Sequence, residues 1–89
     1  MSWLDWADEA LDELADIYVL ATPEDREVIA RRVLALNKAL ADDPFSVGEE
    51  REGDLRIDAN PWLTVWFRVT PDGLMVRVIH AHRPTRRSR

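Results

Sequence analysis

The sequence contains no cysteine, only three glycines, a single lysine among its twelve basic residues, and no basic residue at all before Arg26. Without cysteine, neither a disulfide framework nor a thiolate metal site can hold the chain, so apolar packing must do it alone, as in a reducing cytosol. A cytoplasmic location is therefore expected. Gly48 and Gly53 bracket Glu49-Glu50-Arg51-Glu52, which lacks the spacing of a phosphate-binding glycine loop and reads as a connecting loop. The amino terminus shows no basic segment followed by an apolar run, and no stretch approaches the roughly 20 apolar residues needed to cross a bilayer. Export and a membrane partner are not expected. With two histidines and no evident third ligand, no metal site and no cofactor are expected either.

What is present is the balance of one globular domain: 89 residues, 46% hydrophobic and 33% charged. A domain over residues 1–83 followed by a basic, mobile tail at 84–89 accounts for the whole chain. The net charge of −5 argues against a surface that coats nucleic acid indiscriminately. The charge is unevenly divided. Residues 1–25 carry eight acids and no base, whereas 51–89 carry four acids and eight arginines. Arginine, unlike lysine, matches phosphate or carboxylate with a planar fork.

From Asp8 to about Leu20, Leu11, Leu14, Ala15 and Tyr18 fall at i, i+3, i+4 and i+7, with Asp12, Glu13 and Asp16 on the opposite side. This predicts a first amphipathic helix. Thr22-Pro23-Glu24-Asp25 then offers an N-cap hydroxyl, a proline at the first helical position and acids facing the positive end of a helix dipole. A second helix follows, with Ile29, Val33, Leu36 and Leu40 on its apolar face, and stops at Asp42-Asp43-Pro44 because proline disfavours helical geometry in the residue before it. Two helices so closely joined form an antiparallel hairpin.

Beyond Pro44 the period changes to two. Leu55 to Asp58 alternates, Leu63, Val65, Phe67 and Val69 share one face of a second segment, and Leu74 to Ala81 alternates again after Thr70-Pro71-Asp72-Gly73. The last two segments form a β-hairpin. Its simplest register turns Leu74, Val76 and Val78 toward the helices and Trp66, Arg68 and Arg77 away from them. A bulge at Gly73 would bury Arg77 without a partner and is rejected on that ground. Ser2 to Trp6 can add an edge strand. The expected architecture is α+β, in the order β-α-α-β-β-β, with the helical hairpin packed on one face of a small antiparallel sheet.

This order of elements resembles the RelE/ParE superfamily, the toxin halves of bacterial toxin–antitoxin modules. The resemblance spans about residues 3–83. It is carried by Trp6 to Tyr18 entering the first helix, by Leu40-Ala41-Asp42-Asp43-Pro44 closing the second, and by Val65-Trp66-Phe67-Arg68-Val69 with Val76 to Arg83. It implies a toxin neutralised by a cognate antitoxin. Members that cleave mRNA on the ribosome carry basic residues on the sheet and a cluster at the end of the last strand, which supply proton transfer and stabilise the phosphorane. By that resemblance Arg56 and the pair His82 and Arg83 match in part. The expected third-strand arginine falls near Thr64, a second-strand lysine falls on Asp58, and Arg86 or Arg87 stands where a terminal tyrosine is expected. The ParE-like branch, which binds DNA gyrase and needs no cleavage chemistry, resembles the segment Val78 to Arg83 better. A ribosome-dependent endoribonuclease is the alternative, and a non-toxic interaction protein with the same fold is a third.

Two sets of residues follow as site candidates. Should the chain cleave RNA, Arg56, Arg68, Arg77 and Arg83 would meet phosphate charge and His82 would transfer the proton. For partner binding, Trp62, Trp66, Arg68 and Arg77 form an aromatic and cationic patch on the sheet face away from the helices. His80 is expected to face the inner layer as a partly buried, satisfied histidine. The acids Asp8, Asp12 and Asp16, with Glu9 and Glu13, recur at a helical spacing at which like charges are mildly destabilising, and they read as a solvated face.

Overall fold

The computed structural model describes residues 1–84. In order, its elements are β1 (Trp3–Trp6), α1 (Asp8–Leu20), α2 (Pro23–Asp42), a 3-10 turn at Pro44–Ser46, β2 (Glu49–Glu50), β3 (Leu55–Asp58), β4 (Thr64–Val69) and β5 (Met75–His82). The start of α2 follows from its sequence: Thr22 Oγ1 accepts the Asp25 N–H at 3.1 Å and Pro23 occupies the first turn. The end of α1 is closed by a side chain from α2. Arg26 donates through Nε to the Tyr18 carbonyl at 2.6 Å and through Nη2 to that of Val19 at 3.3 Å, placing a cation at the negative end of the helix.

The strands form one five-stranded sheet in the order β1-β5-β4-β3-β2. The α+β architecture of two helices on a sheet is as expected, and the Ser2 to Trp6 segment does add an edge strand. That strand runs parallel to β5, so the sheet is mixed. The chain leaves β1 through the helical hairpin and reaches β5 only after the antiparallel run β2, β3, β4, a long crossover of the kind that parallel neighbours require. The loop expected at 48–53 also contains the two-residue strand β2, paired with Arg56 and Ile57 of β3.

The core lies between the helices and one face of the sheet. Val65, Phe67, Val69, Val76 and Val78 come from the strands, Leu63 from the residue just before β4, and Leu36 and Leu40 from α2, all nearly or fully buried. The α1 stripe is turned from the one expected: Ala10, Leu14 and Ile17 pack inward, while Leu11 is 47% exposed and Ala15 is exposed. Ala10 is fully buried, and its small side chain allows the helix backbone to approach the sheet closely. Leu74 is also outside the core, at 55% exposure. It belongs to the turn rather than to β5, where inward alternation begins at Val76.

One irregularity decides the chemistry of the outer face. Trp66 pairs with His80 but Phe67 pairs with Val78, so Ile79 is an extra residue on β5. This bulge reverses the alternation. Val78 and Ala81 both face the core, and His80 turns outward with its side chain 48% exposed, contrary to the inward orientation expected for it. From residue 85 onward the expected basic tail, including Arg86 and Arg87, lies outside the described residues.

Candidate functional site

The face of the sheet opposite the helices is built by register. Residues directly opposite on neighbouring strands point to the same side, so Trp3, Met75 and Thr70 lie toward one end. Asp5, Arg77, Arg68 and Leu55 form the next row across β1, β5, β4 and β3, followed by His80, Trp66 and Ile57 and then by His82 and Thr64. Among the described residues no helix covers this face. Trp66 meets His80 edge-on with ring centroids 6.5 Å apart and His82 at a tilt with centroids 6.4 Å apart.

Arg68 and Arg77 come together as predicted, directly opposite each other on β4 and β5. Each is tethered by one acid from elsewhere: Arg68 Nη1 reaches Asp54 at 2.6 Å and Arg77 Nη1 reaches Asp5 at 3.2 Å. Both guanidinium groups stay more than half exposed, so these contacts contribute little to stability. Beside them opens a groove of about 540 Å³ whose lining includes Trp3, Met75, Val76 and both arginines. Trp3 is 79% and Met75 60% exposed. These two residues were missed in the sequence, although Trp3 and Asp5 alternate with Leu4 and Trp6 in the pattern of a half-buried strand.

Arg56 is not part of this face. Its partner on β4 is Phe67, which points into the core, so Arg56 lies on the helix side. There its guanidinium donates to the carbonyls of Phe45 at 3.0 Å, Val47 at 3.0 Å and Gly48 at 3.2 Å, holding the segment after the 3-10 turn against β3. Asp58 is also on the inner side and pairs with Arg32 of α2.

Arg83 and Trp62 form a separate group at the end of the sheet. Asn60 positions the tryptophan, since its Oδ1 accepts the N–H of Trp62 at 2.8 Å and its backbone clasps the Thr64 hydroxyl. Arg83 lies 5.0 Å from the Trp62 ring centroid and donates to Asp25 Oδ2 at 2.9 Å. Of the residues proposed for cleavage, Arg68, Arg77 and His82 therefore share the outer face, Arg83 is tied to α2, and Arg56 is on the other side.

Glu13 of α1, read in the sequence only as part of a solvated acidic face, has two contacts. Its Oε1 accepts the Ala81 N–H at 2.9 Å and lies 3.4 Å from His80 Nδ1. Past the end of β1 no described strand pairs with the edge of β5, and Glu13 accepts from that edge while lying beside the imidazole. Among the described residues no group of three or more potential metal ligands forms, and no helix is long and apolar enough to cross a membrane.

These features define an α+β fold of the RelE/ParE type, with a helical hairpin on one face of the sheet and, among the described residues, no helix on the other. The chain is similar to one in the chromosomal ParDE toxin–antitoxin system of P. aeruginosa, with 22% identity, a TM-score of 0.69, and coverage of 96% of this chain and 98% of that one. It is similar to a chain of the intact E. coli RelBE toxin–antitoxin complex at 16% identity and a TM-score of 0.56, covering 97% and 100% of the two chains. The isolated E. coli RelE toxin gives 16% identity, a TM-score of 0.61, and coverage of 98% and 88%. At these identities the likeness establishes the fold. No family model and no curated protein matches the sequence.

Proposed function

We propose that this chain is the toxin component of a type II toxin–antitoxin module, kept inactive by a cognate antitoxin and acting by ParE-like binding of a cellular target such as DNA gyrase. The observation that carries the reading is the orientation of Arg56. The strand residue expected to serve phosphate chemistry is turned to the helix side and bound to three backbone carbonyls, so the exposed face is suited to binding and lacks part of a cleavage site. The outer face, with its exposed Trp3 and opposed arginines, supports an antitoxin as occupant. The solved toxin–antitoxin relatives support the same role through their shared fold.

A second reading, ribosome-dependent mRNA cleavage, is favoured by one observation. His80, His82 and Trp66 lie together on the outer face, with Glu13 Oε1 3.4 Å from His80 Nδ1. An imidazole pair beside a stacking surface and two arginines supplies groups of the kind RNA transesterification needs.

Induction of the chain in a bacterium tests both. Growth arrest with altered DNA supercoiling and continued translation supports target binding of the ParE kind. Rapid loss of nascent translation that is abolished in a His80→Ala/His82→Ala variant supports cleavage. Unaffected growth with abundant folded protein refutes both.

A further inference from the structure

The geometry of Arg68 and Arg77 points to a specific occupant for the groove beside them: we propose that it takes a peptide segment of a partner protein in which an Asp or Glu stands next to a large apolar side chain. This rests on the antitoxin reading above and gives the chemistry of the recognised segment.

Like charges directly opposite on neighbouring strands destabilise a sheet, yet here two arginines share one cross-strand position on a face that no described helix covers. Each guanidinium offers five N–H donors, and each ion pair engages one terminal nitrogen, with Asp54 or Asp5. Both arginines line the one groove, and each keeps guanidinium donors beyond the nitrogen used in its ion pair. A carboxylate seated in that groove would accept a charge-assisted hydrogen bond from the fork it meets.

The adjoining surface is apolar. Trp3 and Met75 are directly paired on β1 and β5 and both are largely exposed, which leaves a flat ring and a flexible thioether to pack against an inserted side chain. The groove volume of about 540 Å³ is within the range typical of ligand clefts, roughly 300–1,000 Å³. A nucleic-acid strand fits the same surface less well. Asp5 and Asp54 flank the arginines on both sides and would repel a run of phosphates, and the chain as a whole carries a charge of −5. A peptide with one carboxylate among apolar neighbours meets the arginines without placing further negative charge over the two acids.

The test is a titration of the full ¹⁵N-labelled chain, followed by amide shifts, with 15-residue peptides tiled across the product of the adjoining open reading frame and with a hexaribonucleotide. At least one peptide with Asp or Glu beside Leu, Phe, Met or Val is expected to shift amides of Trp3, Arg68, Met75 and Arg77. Replacing its acid by the neutral amide, or introducing Arg68→Ala or Arg77→Ala, should weaken it roughly tenfold, while Arg31→Ala on α2 leaves it unchanged. Arg68→Lys and Arg77→Lys keep the charge but lose the fork and should give intermediate losses. Absence of any peptide binding at these residues, equal binding of the neutral peptide, or stronger shifts with the hexaribonucleotide would overturn the proposal. Induced toxicity is scored separately, so loss of the peptide site and loss of the toxin reading are told apart.

Discussion

The Arg83 guanidinium lies over the Trp62 ring, 5.0 Å from its centroid, while bonding at 2.9 Å to Asp25 in the first turn of α2. The first residue beyond β5 thereby ties the loop before β4 to the start of the second helix. Both charged partners are about three-quarters to two-thirds covered, so the contact is less screened than a surface pair. Arg83→Ala should lower the unfolding free energy by about 1–2 kcal/mol in urea titrations. A double-mutant cycle with Asp25→Ala should yield a coupling of about 1 kcal/mol, and a coupling near zero would mean that the ring alone holds the arginine.

Arg56 should behave as a structural residue. Arg56→Ala frees the carbonyls of Phe45, Val47 and Gly48 and is expected to cost roughly 2–3 kcal/mol, read as a lower urea midpoint with unchanged slope. If the chain cleaves RNA, the folded fraction of this variant should retain cleavage, whereas Arg68→Ala and Arg77→Ala should reduce it.

Gly48 has φ of +65°, and a Cβ built there would sit 2.2 Å from the Ile57 carbonyl oxygen, against rigid strand backbone. Gly48→Ala therefore combines an unfavourable backbone conformation with a clash that no side-chain rotation relieves. A loss of roughly 2–3 kcal/mol or more is expected by thermal or urea unfolding. Gly53→Ala, which also has positive φ but meets nothing nearby, should cost visibly less.

Asp72 in the β4–β5 turn has its carboxyl held below the ordinary value of 3.8, chiefly by the Thr70 hydroxyl and then by the Leu74 N–H. A depressed folded-state pKa contributes stability above the unfolded value, and this is lost as pH falls through the folded one. The advantage of the wild type over Asp72→Asn should be constant from neutral pH down to about pH 5 and decline below about pH 4. An advantage that instead grows on acidification would contradict the hydrogen-bond pattern of this turn.

Glu13 should be replaceable in one respect only. Glu13→Gln keeps an acceptor for the Ala81 N–H at the open edge of β5, whereas Glu13→Ala leaves that amide without its protein partner. The glutamine variant is expected to stay within about 0.5 kcal/mol of wild type and the alanine variant to lose about 1–2 kcal/mol, with faster hydrogen exchange at Ala81.

The sequence by itself determined the order of the elements, apart from the two-residue strand β2. Capping at Thr22 and Pro23, the arrest at Pro44 and the switch from a period near four to a period of two are local properties of backbone conformation, and they correctly located both helices and the β4–β5 hairpin. They also put Trp66, Arg68 and Arg77 on the face away from the helices, because alternation within a strand needs no knowledge of its neighbours. What depended on neighbours was decided only in three dimensions. The strip of α1 that is buried depends on how closely a small residue, Ala10, lets the helix approach. The orientation of His80 depends on one extra residue, Ile79, inserted against β4, and the side of Arg56 depends on its pairing with Phe67. The groove itself depends on β1 running beside β5 from the far end of the chain, which brings Trp3 against Met75. Pairing partners, register and parallel or antiparallel sense arise from hydrogen bonds between distant segments, and no single segment encodes them.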